Sequence, residues 1–434
     1  MEKITVIGAG LAGCEAAISA AKQGVKVDLI EMKPIKHSPA HSSNLFCELV
    51  CSNSLKSNRI DSAAGLLKEE MRRLGSVCLS IADSCSVAAG GALAVDRDAF
   101  SSGVTSIIKN HPNINIVTDT VSVIPKDSVV VIATGPLTDD ELAEDIENYC
   151  GQRNLNFYDA AAPIVTAESI DMSIAFSASR YSDGEGDYIN CPMNKDEYES
   201  FYNALVNAET ASTHDVDSVL KVYEGCMPIE VLAKRGTDSV RFGPMKPVGL
   251  KDPRTGHRPW AAVQLRRENK AGTLFNIVGF QTNLKFGEQK RVFSMIPGLK
   301  NADFARYGVM HRNTFINSPK LLNKDLSLKM NNNIFFAGQI SGVEGYMESA
   351  ASGIVAGINA TRRVLQRKPL ILPEHTMIGA LLSYITDETV VNFQPMGANY
   401  GILPGLEYHI KDKRERYSEF SKRALEFYDK GEII

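Results

Sequence analysis

The first 31 residues constrain this chain more than any other stretch. An apolar run, Ile4-Thr5-Val6-Ile7, leads into Gly8-Ala9-Gly10-Leu11-Ala12-Gly13. A small-residue helical pattern continues to Lys22, Gly24 breaks it, and a second run from Val25 to Ile30 ends at Glu31. Strand, glycine turn, helix, strand and acid, in that order, form the fingerprint of a dinucleotide-binding βαβ unit. Gly8 permits the tight turn, Gly10 lets the backbone approach a pyrophosphate, and Gly13 lets the helix close on the strand. The turn and helix start, including Ala9, Leu11 and Ala12, offer N–H groups and a partial positive charge to phosphate. Glu31 stands where a carboxylate accepts hydrogen bonds from a ribose diol.

Two distant strands read in the same way. Residues 129–133 are wholly apolar and run into Thr134-Gly135-Pro136, and residues 334–337 run into Gly338-Gln339. Strands that end in glycine at three separated places predict one parallel sheet assembled from both ends of the chain. The expected fold is α/β: a Rossmann-like FAD-binding domain of the glutathione-reductase type with an inserted α+β domain. Residues 1–168 and 325–434 would form the first domain and 169–324 the insertion. FAD is preferred to NAD because Ala133-Thr134-Gly135 resembles the second FAD contact of flavoproteins with two dinucleotide domains. Gly338-Gln339, followed by Gly342-Val343-Glu344-Gly345-Tyr346, likewise resembles their C-terminal flavin motif. A helix from Tyr346 to about Arg363 would then aim its positive end at the flavin. No second glycine fingerprint marks a nicotinamide domain, so NADH or NADPH is expected to bind transiently.

Charge is unevenly spread. Residues 225–324 hold 18 Lys and Arg against 6 Asp and Glu, a net of +12, which leaves −16 for the rest of a chain whose total is −4. A basic segment inside an acidic chain fits a polyanionic partner such as RNA, or a solvated surface of scattered charge. The eight cysteines are scattered with no Cys-x-x-Cys pair, so neither a zinc site nor a disulfide framework is expected. No apolar run reaches the length of a membrane span, and the first strand begins too early for a signal peptide. The expectation is a cytoplasmic protein with no metal, no membrane contact and no obligate protein partner.

Longer strings carry a family resemblance. They are residues 46–56 (FCELVCSNSLK), 90–97 (GGALAVDR), 187–193 (DYINCPM), 224–230 (EGCMPIE), 242–250 (FGPMKPVGL), 278–283 (VGFQTN) and 308–315 (GVMHRNTF). Across nearly its whole length the chain resembles the folate- and FAD-dependent tRNA (uracil-5-)-methyltransferases. The resemblance implies that 5,10-methylenetetrahydrofolate donates a carbon and that reduced FAD donates a hydride. Together they convert a uridine of the tRNA T-arm into 5-methyluridine, with RNA held by segment 225–324. It also implies two catalytic cysteines, Cys51 and Cys226. Their chemistry is intelligible: a thiolate adding at C6 of uracil makes C5 nucleophilic. Lys234 and Arg235 stand near Cys226 in sequence and would favour a thiolate if near in space. Two other readings stay open here: the same chemistry on a ribosomal RNA uridine, and a flavin reductase that acts on no RNA. Cys47 departs from the family pattern; on a helix it would approach Cys51, four residues on. Arg97 would contact a phosphate or folate, or cap local backbone, and residues 310–313 would meet a ligand or serve structure. Trp260, the sole tryptophan, would stack on a base or serve a core or hinge.

Overall fold

The computed structural model describes residues 3–180, 186–211 and 227–430. Among them, in chain order, the strands begin with β1 (Lys3–Ile7), β2 (Lys26–Glu31), β3 (Ser54–Ser57), β4 (Ser86–Val87), β5 (Ala92–Val95), β6 (Ile114–Thr118) and β7 (Val129–Ile132). They continue with β8 (Leu155–Ala160), β9 (Ile164–Thr166), β10 (Phe176–Ala178), β11 (Tyr188–Met193), β12 (Ala261–Arg267) and β13 (Leu274–Ile277). The last are β14 (Phe304–Arg306), β15 (Met310–Phe315), β16 (Ser327–Leu328) and β17 (Asn331–Phe336).

The predicted parallel sheet is present, in the order β16-β17-β7-β1-β2-β6. β1 pairs in parallel with β2 and β7, β7 with β17, and β2 with β6, while β16 returns antiparallel. β1 is buried from Ile4 to Ile7, as expected for a central strand covered on both faces. The glycine-turn helix (Leu11–Lys22) packs on a long helix (Tyr346–Val364) through small residues. A Cβ at Gly353 would stand 2.2 Å from the Ala12 carbonyl oxygen, and one at Gly357 2.4 Å from that of Ala16. Two helices separated by 323 residues of sequence, 23 to 345, thus meet backbone to backbone. Near the C-terminus, residues Lys413–Asp429, in which both charges are mixed, form a helix.

A second six-stranded sheet, β10-β11-β12-β13-β9-β14, is antiparallel throughout. It has its own core, in which Phe280 meets Phe201 at 6.1 Å and Phe293 at 5.4 Å between ring centroids. β9, which precedes residue 169, pairs in this second sheet, whereas Phe315, Leu321 and Leu322 pack in the first core. The two-stranded ladder of β8 and β15 lies between the two cores in the chain. The change of core follows strand pairing, which the order of glycine motifs does not encode.

Candidate dinucleotide cleft and the Cys51 loop

A cleft with about 1160 Å³ of space free of protein atoms opens beyond the carboxyl ends of β1, β2 and β7. From β1 the chain leads to one edge of the sheet through β2 and to the other through β7, so this is the topological switch point where open α/β sheets take ligands. Gly8, Ala9, Gly10, Leu11 and Ala12 line it, as do Glu31, Gly135, Gly338, Gln339 and Tyr346.

The glycine turn fits a phosphate group. Gly8 has φ +96°, and a Cβ there would sit 2.7 Å from the Ala133 carbonyl oxygen. A Cβ on Gly13 would lie 1.7 Å from the Gly8 oxygen, whereas one on Gly10 would meet nothing within 4 Å. Gly10 therefore faces open space while its neighbours are pinned by backbone. The helix behind them has no side-chain cap and no acid in its first turn. Its leading N–H groups are left without a capping side chain, the arrangement that receives an anion. Glu31 is buried; one carboxylate oxygen accepts from the Ala9 N–H at 2.7 Å and the other from the Lys33 N–H at 3.1 Å. The acid expected to meet a ribose also ties the phosphate turn to the end of β2.

Three of the expected residues stand behind the lining. Gly13 serves helix–strand packing. Gly345 has φ +120°, and a Cβ there would lie 2.2 Å from Oε2 of Glu348 and 2.8 Å from Nζ of Lys56. Glu344 accepts from Nε2 of Gln339 at 2.6 Å and so orients a residue that does line the cleft. Burial first, and Asp159 second, push the Glu344 carboxyl up to about 8. The lining also includes Lys33, His41, Asp119, Thr120 and Ser349, which the motifs did not single out. Asp119 and Thr120 follow β6, and the β-branched stretch Ile114-Asn115-Ile116-Val117-Thr118 was the signal that would have found them.

Cys51 sits half-buried on an irregular loop that borders the cleft through Val50. The Tyr346 hydroxyl oxygen accepts the Cys51 N–H at 2.8 Å and the Ser52 N–H at 3.3 Å. Guanidinium groups hold the carbonyl side: Arg97 donates to Leu49 and Cys51, and Arg306 donates to Val50. Arg266 donates to the Ser52 hydroxyl at 2.8 Å and the Asn53 amide oxygen at 2.9 Å. Arg97 is also paired with the buried carboxylate of Glu268. Burial opposes its charge, but Glu268 outweighs that and holds Arg97 above the ordinary guanidinium value. Burial lowers Arg266 and Arg306 and raises the Tyr346 phenol. Arg97 thus bonds backbone, as one of its readings had it, but that of the Cys51 loop 46 and 48 residues earlier and not its own.

Cys47 does not approach Cys51 along a helix. It has φ +52° in a non-helical segment, and its thiol contacts those of Cys14 and Cys78. Cys226 lies outside the described residues, but the chain that follows it is well anchored. The Ile229 N–H donates to the Gln281 carbonyl at 2.7 Å, and Glu230 accepts from the Thr282 hydroxyl at 2.9 Å and the Asn283 N–H at 2.7 Å. The Thr282 N–H in turn donates to the Ala161 carbonyl at 3.3 Å, and the Cys51 thiol faces the carbonyl of the preceding Ala160 at 3.8 Å. Residues 310–313 form part of β15, with His311 opposite Asp159 of β8. Trp260 is 37% exposed, so it is not a core residue. Among the described residues no His, Cys, Asp and Glu cluster is set to hold a metal, and no helix is long and apolar enough to cross a membrane.

The chain matches the family model for glucose inhibited division protein A over residues 3–368. It is 58% identical to the methylenetetrahydrofolate–tRNA-(uracil-5-)-methyltransferase TrmFO of Acetivibrio thermocellus, over 98% of this chain and 97% of that protein. The proteins of that name from Lactobacillus johnsonii and Moorella thermoacetica are each 56% identical, covering 98% and 99% of this chain and 97% and 98% of theirs. Among solved structures, Aquifex aeolicus GidA superposes with a TM-score of 0.71 at 18% identity, over 99% of this chain and 73% of that one. At that identity the likeness speaks for the fold.

Proposed function

This chain belongs to the methylenetetrahydrofolate–tRNA-(uracil-5-)-methyltransferase family, and from that premise we propose that it builds 5-methyluridine in the T-arm of tRNA. The carbon comes from 5,10-methylenetetrahydrofolate. FAD, when bound in the cleft, supplies the hydride, renewed by NADH or NADPH. The N–H groups around Gly10 would hold its pyrophosphate and Glu31 its ribose. Gly338, Gln339 and the start of the Tyr346 helix would border its flavin, with Glu344 fixing Gln339. No part of this reading needs a membrane, and the expected location is the cytoplasm.

Cys226 is assigned the nucleophile. Its thiolate adds to C6 of uracil and C5 takes the methylene carbon. Loss of the C5 proton then expels the folate nitrogen, a hydride adds to the resulting methylene to give the methyl group, and the enolate so formed expels the thiolate. Cys51, held beside Tyr346 at the border of the cleft, handles the one-carbon unit or the C5 proton. The observation that carries this pairing is the path between the two segments. Cys51 faces Ala160, Ala161 accepts from Thr282, and Thr282 donates to Glu230. Cys226 stands three residues before the anchored Ile229, a reach of about 11 Å at full extension.

The test combines protein, FAD, methylenetetrahydrofolate, NADPH and unmodified tRNA transcript, with nucleosides read by mass spectrometry. Product should need the folate and vanish in Cys226→Ala with flavin still bound. Product formed from S-adenosylmethionine without folate would overturn the reading.

A further inference from the structure

Outside the residues that line the cleft, the second sheet carries an exposed aromatic group that neither core uses. Phe242 is 67% exposed and Trp260 37%. Arg241 lies between them, its guanidinium carbon 3.9 Å from the Trp260 ring centroid and 4.9 Å from that of Phe242. Lys195 adds a second cation 5.7 Å from the indole ring. The group is held in place. Nε of Arg241 donates to the Trp260 carbonyl at 3.0 Å, and the Trp260 N–H donates to the Met193 carbonyl at 2.9 Å. The acids nearby are already engaged: Asp238 with Arg241, Glu199 with Lys195, and Glu197 in the capping box of its own helix. Lys251, Arg254, His257 and Arg258 are exposed on the loop leading to Trp260, with Arg254 paired to Asp252.

We propose that Trp260, Arg241 and Phe242 form a stacking platform for an unpaired base of the RNA substrate, at a place separate from the reacting uridine. The proposal rests on the RNA reading above and adds a second contact to it. Two arguments carry it. Exposed aromatics beside cations, within a segment of net charge +12, combine the two features that single-stranded nucleic acid selects: a π-face for a base and positive charge for its backbone. The second argument is position. Trp260 directly precedes β12, and Arg266 near the far end of that strand holds the Cys51 loop. Six residues of strand span about 20 Å. One rigid strand thus sets the distance between the platform and the loop that bears Cys51, so an RNA loop bound to both would be registered against the chemistry.

Trp260 is the only tryptophan, which makes the test direct. Unmodified tRNA transcript is titrated into the full FAD-loaded protein while indole emission and, separately, retention on a filter are followed. Emission should fall and saturate with the same midpoint as binding. Trp260→Ala and Phe242→Ala should each weaken tRNA binding and raise KM about 10-fold, with kcat at saturating tRNA held and bound-flavin absorbance confirming the fold. Trp260→Phe should recover most of the loss, because a ring remains. The salt slope of binding should be unchanged by Phe242→Ala, since stacking releases no counterions, but should shrink by about one in Arg258→Ala. Binding with unchanged indole emission, or a Phe242→Ala protein of unaltered KM, overturns the platform and leaves the methyltransferase reading standing. Failure of the unaltered protein to bind any tRNA overturns both.

Discussion

A Cβ on Gly13 would be driven to 1.7 Å from the Gly8 carbonyl oxygen, a distance no side-chain adjustment relieves. The Cys51 loop is fixed by other means: guanidinium groups from Arg97 and Arg306, and the phenol of Tyr346, 295 residues away. Both segments border one cleft. The first is held by the backbone itself and tolerates no added atom at Gly8 or Gly13, though it does at Gly10; the second is irregular backbone satisfied by long side chains from remote elements. Irregular buried backbone needs such partners because its N–H and C=O groups have no ladder to join. Arginine suits the task, since one planar fork can serve two carbonyls and a carboxylate together.

The sharpest way to break this contrast is to add a methyl group on each side of the phosphate turn. Gly13→Ala should prevent accumulation of folded flavoprotein, read as lost bound flavin and a collapsed melting transition. Gly10→Ala, with no neighbour within 4 Å, should leave the melting temperature of the apoprotein nearly unchanged while weakening flavin binding. Equal effects from the two would refute the division of roles.

Next in size is the clamp. Arg97→Met leaves Glu268 buried without its cation, and chemical denaturation should show a loss of about 3–5 kcal/mol. Adding Glu268→Gln should restore part of that loss, because the stranded charge is then gone. A double variant as unstable as the single one would show that the carbonyl contacts dominate.

A smaller effect follows from Glu344. Its carboxyl is raised from 4.5 to about 8 by burial and Asp159. The folded apoprotein therefore keeps a proton that the unfolded chain releases as pH rises from 4.5 to 8. The associated stability is complete below pH 4.5 and is lost as pH approaches 8, at no more than about 1.4 kcal/mol per pH unit. Urea midpoints across this window should fall less steeply in Glu344→Gln. Glu15 and Glu70, each raised to about 7 mainly by burial, leave some slope in both proteins.

Smallest is Tyr346→Phe, which removes the acceptor for two N–H groups and should cost about 1–2 kcal/mol. Its more telling readout is Cys51: alkylation of that thiol should quicken as the loop loosens. An unchanged rate would mean that the arginines alone hold the loop.

Legibility followed the same divide. Gly8, Gly10, Gly13 and Glu31 were readable because a dinucleotide turn is a local object, with each residue's task fixed by neighbours within one βαβ unit. The strands β7 and β17 were readable from the apolar runs 129–133 and 334–337, which end in glycine, although β17 begins three asparagines earlier. The junction between the two cores was harder to read, since β9 joins the second sheet through pairings with β13 and β14 over a hundred residues away. Cys47 shows the same limit: a helical spacing to Cys51 meant nothing once the backbone took φ +52° and turned the thiol toward Cys14 and Cys78.

By itself, then, the sequence determined the dinucleotide turn, the parallel sheet and, through its matched strings, the family. These are encoded in short windows, where backbone geometry and hydrophobic period act locally. Only the tertiary structure decided that Arg97, Arg266, Arg306 and Tyr346 converge on the Cys51 loop, and that Trp260 faces solvent beside Arg241 and Phe242. Such convergence depends on which distant elements pack together. A guanidinium reads the same in sequence whether it meets water, a phosphate or three buried carbonyls.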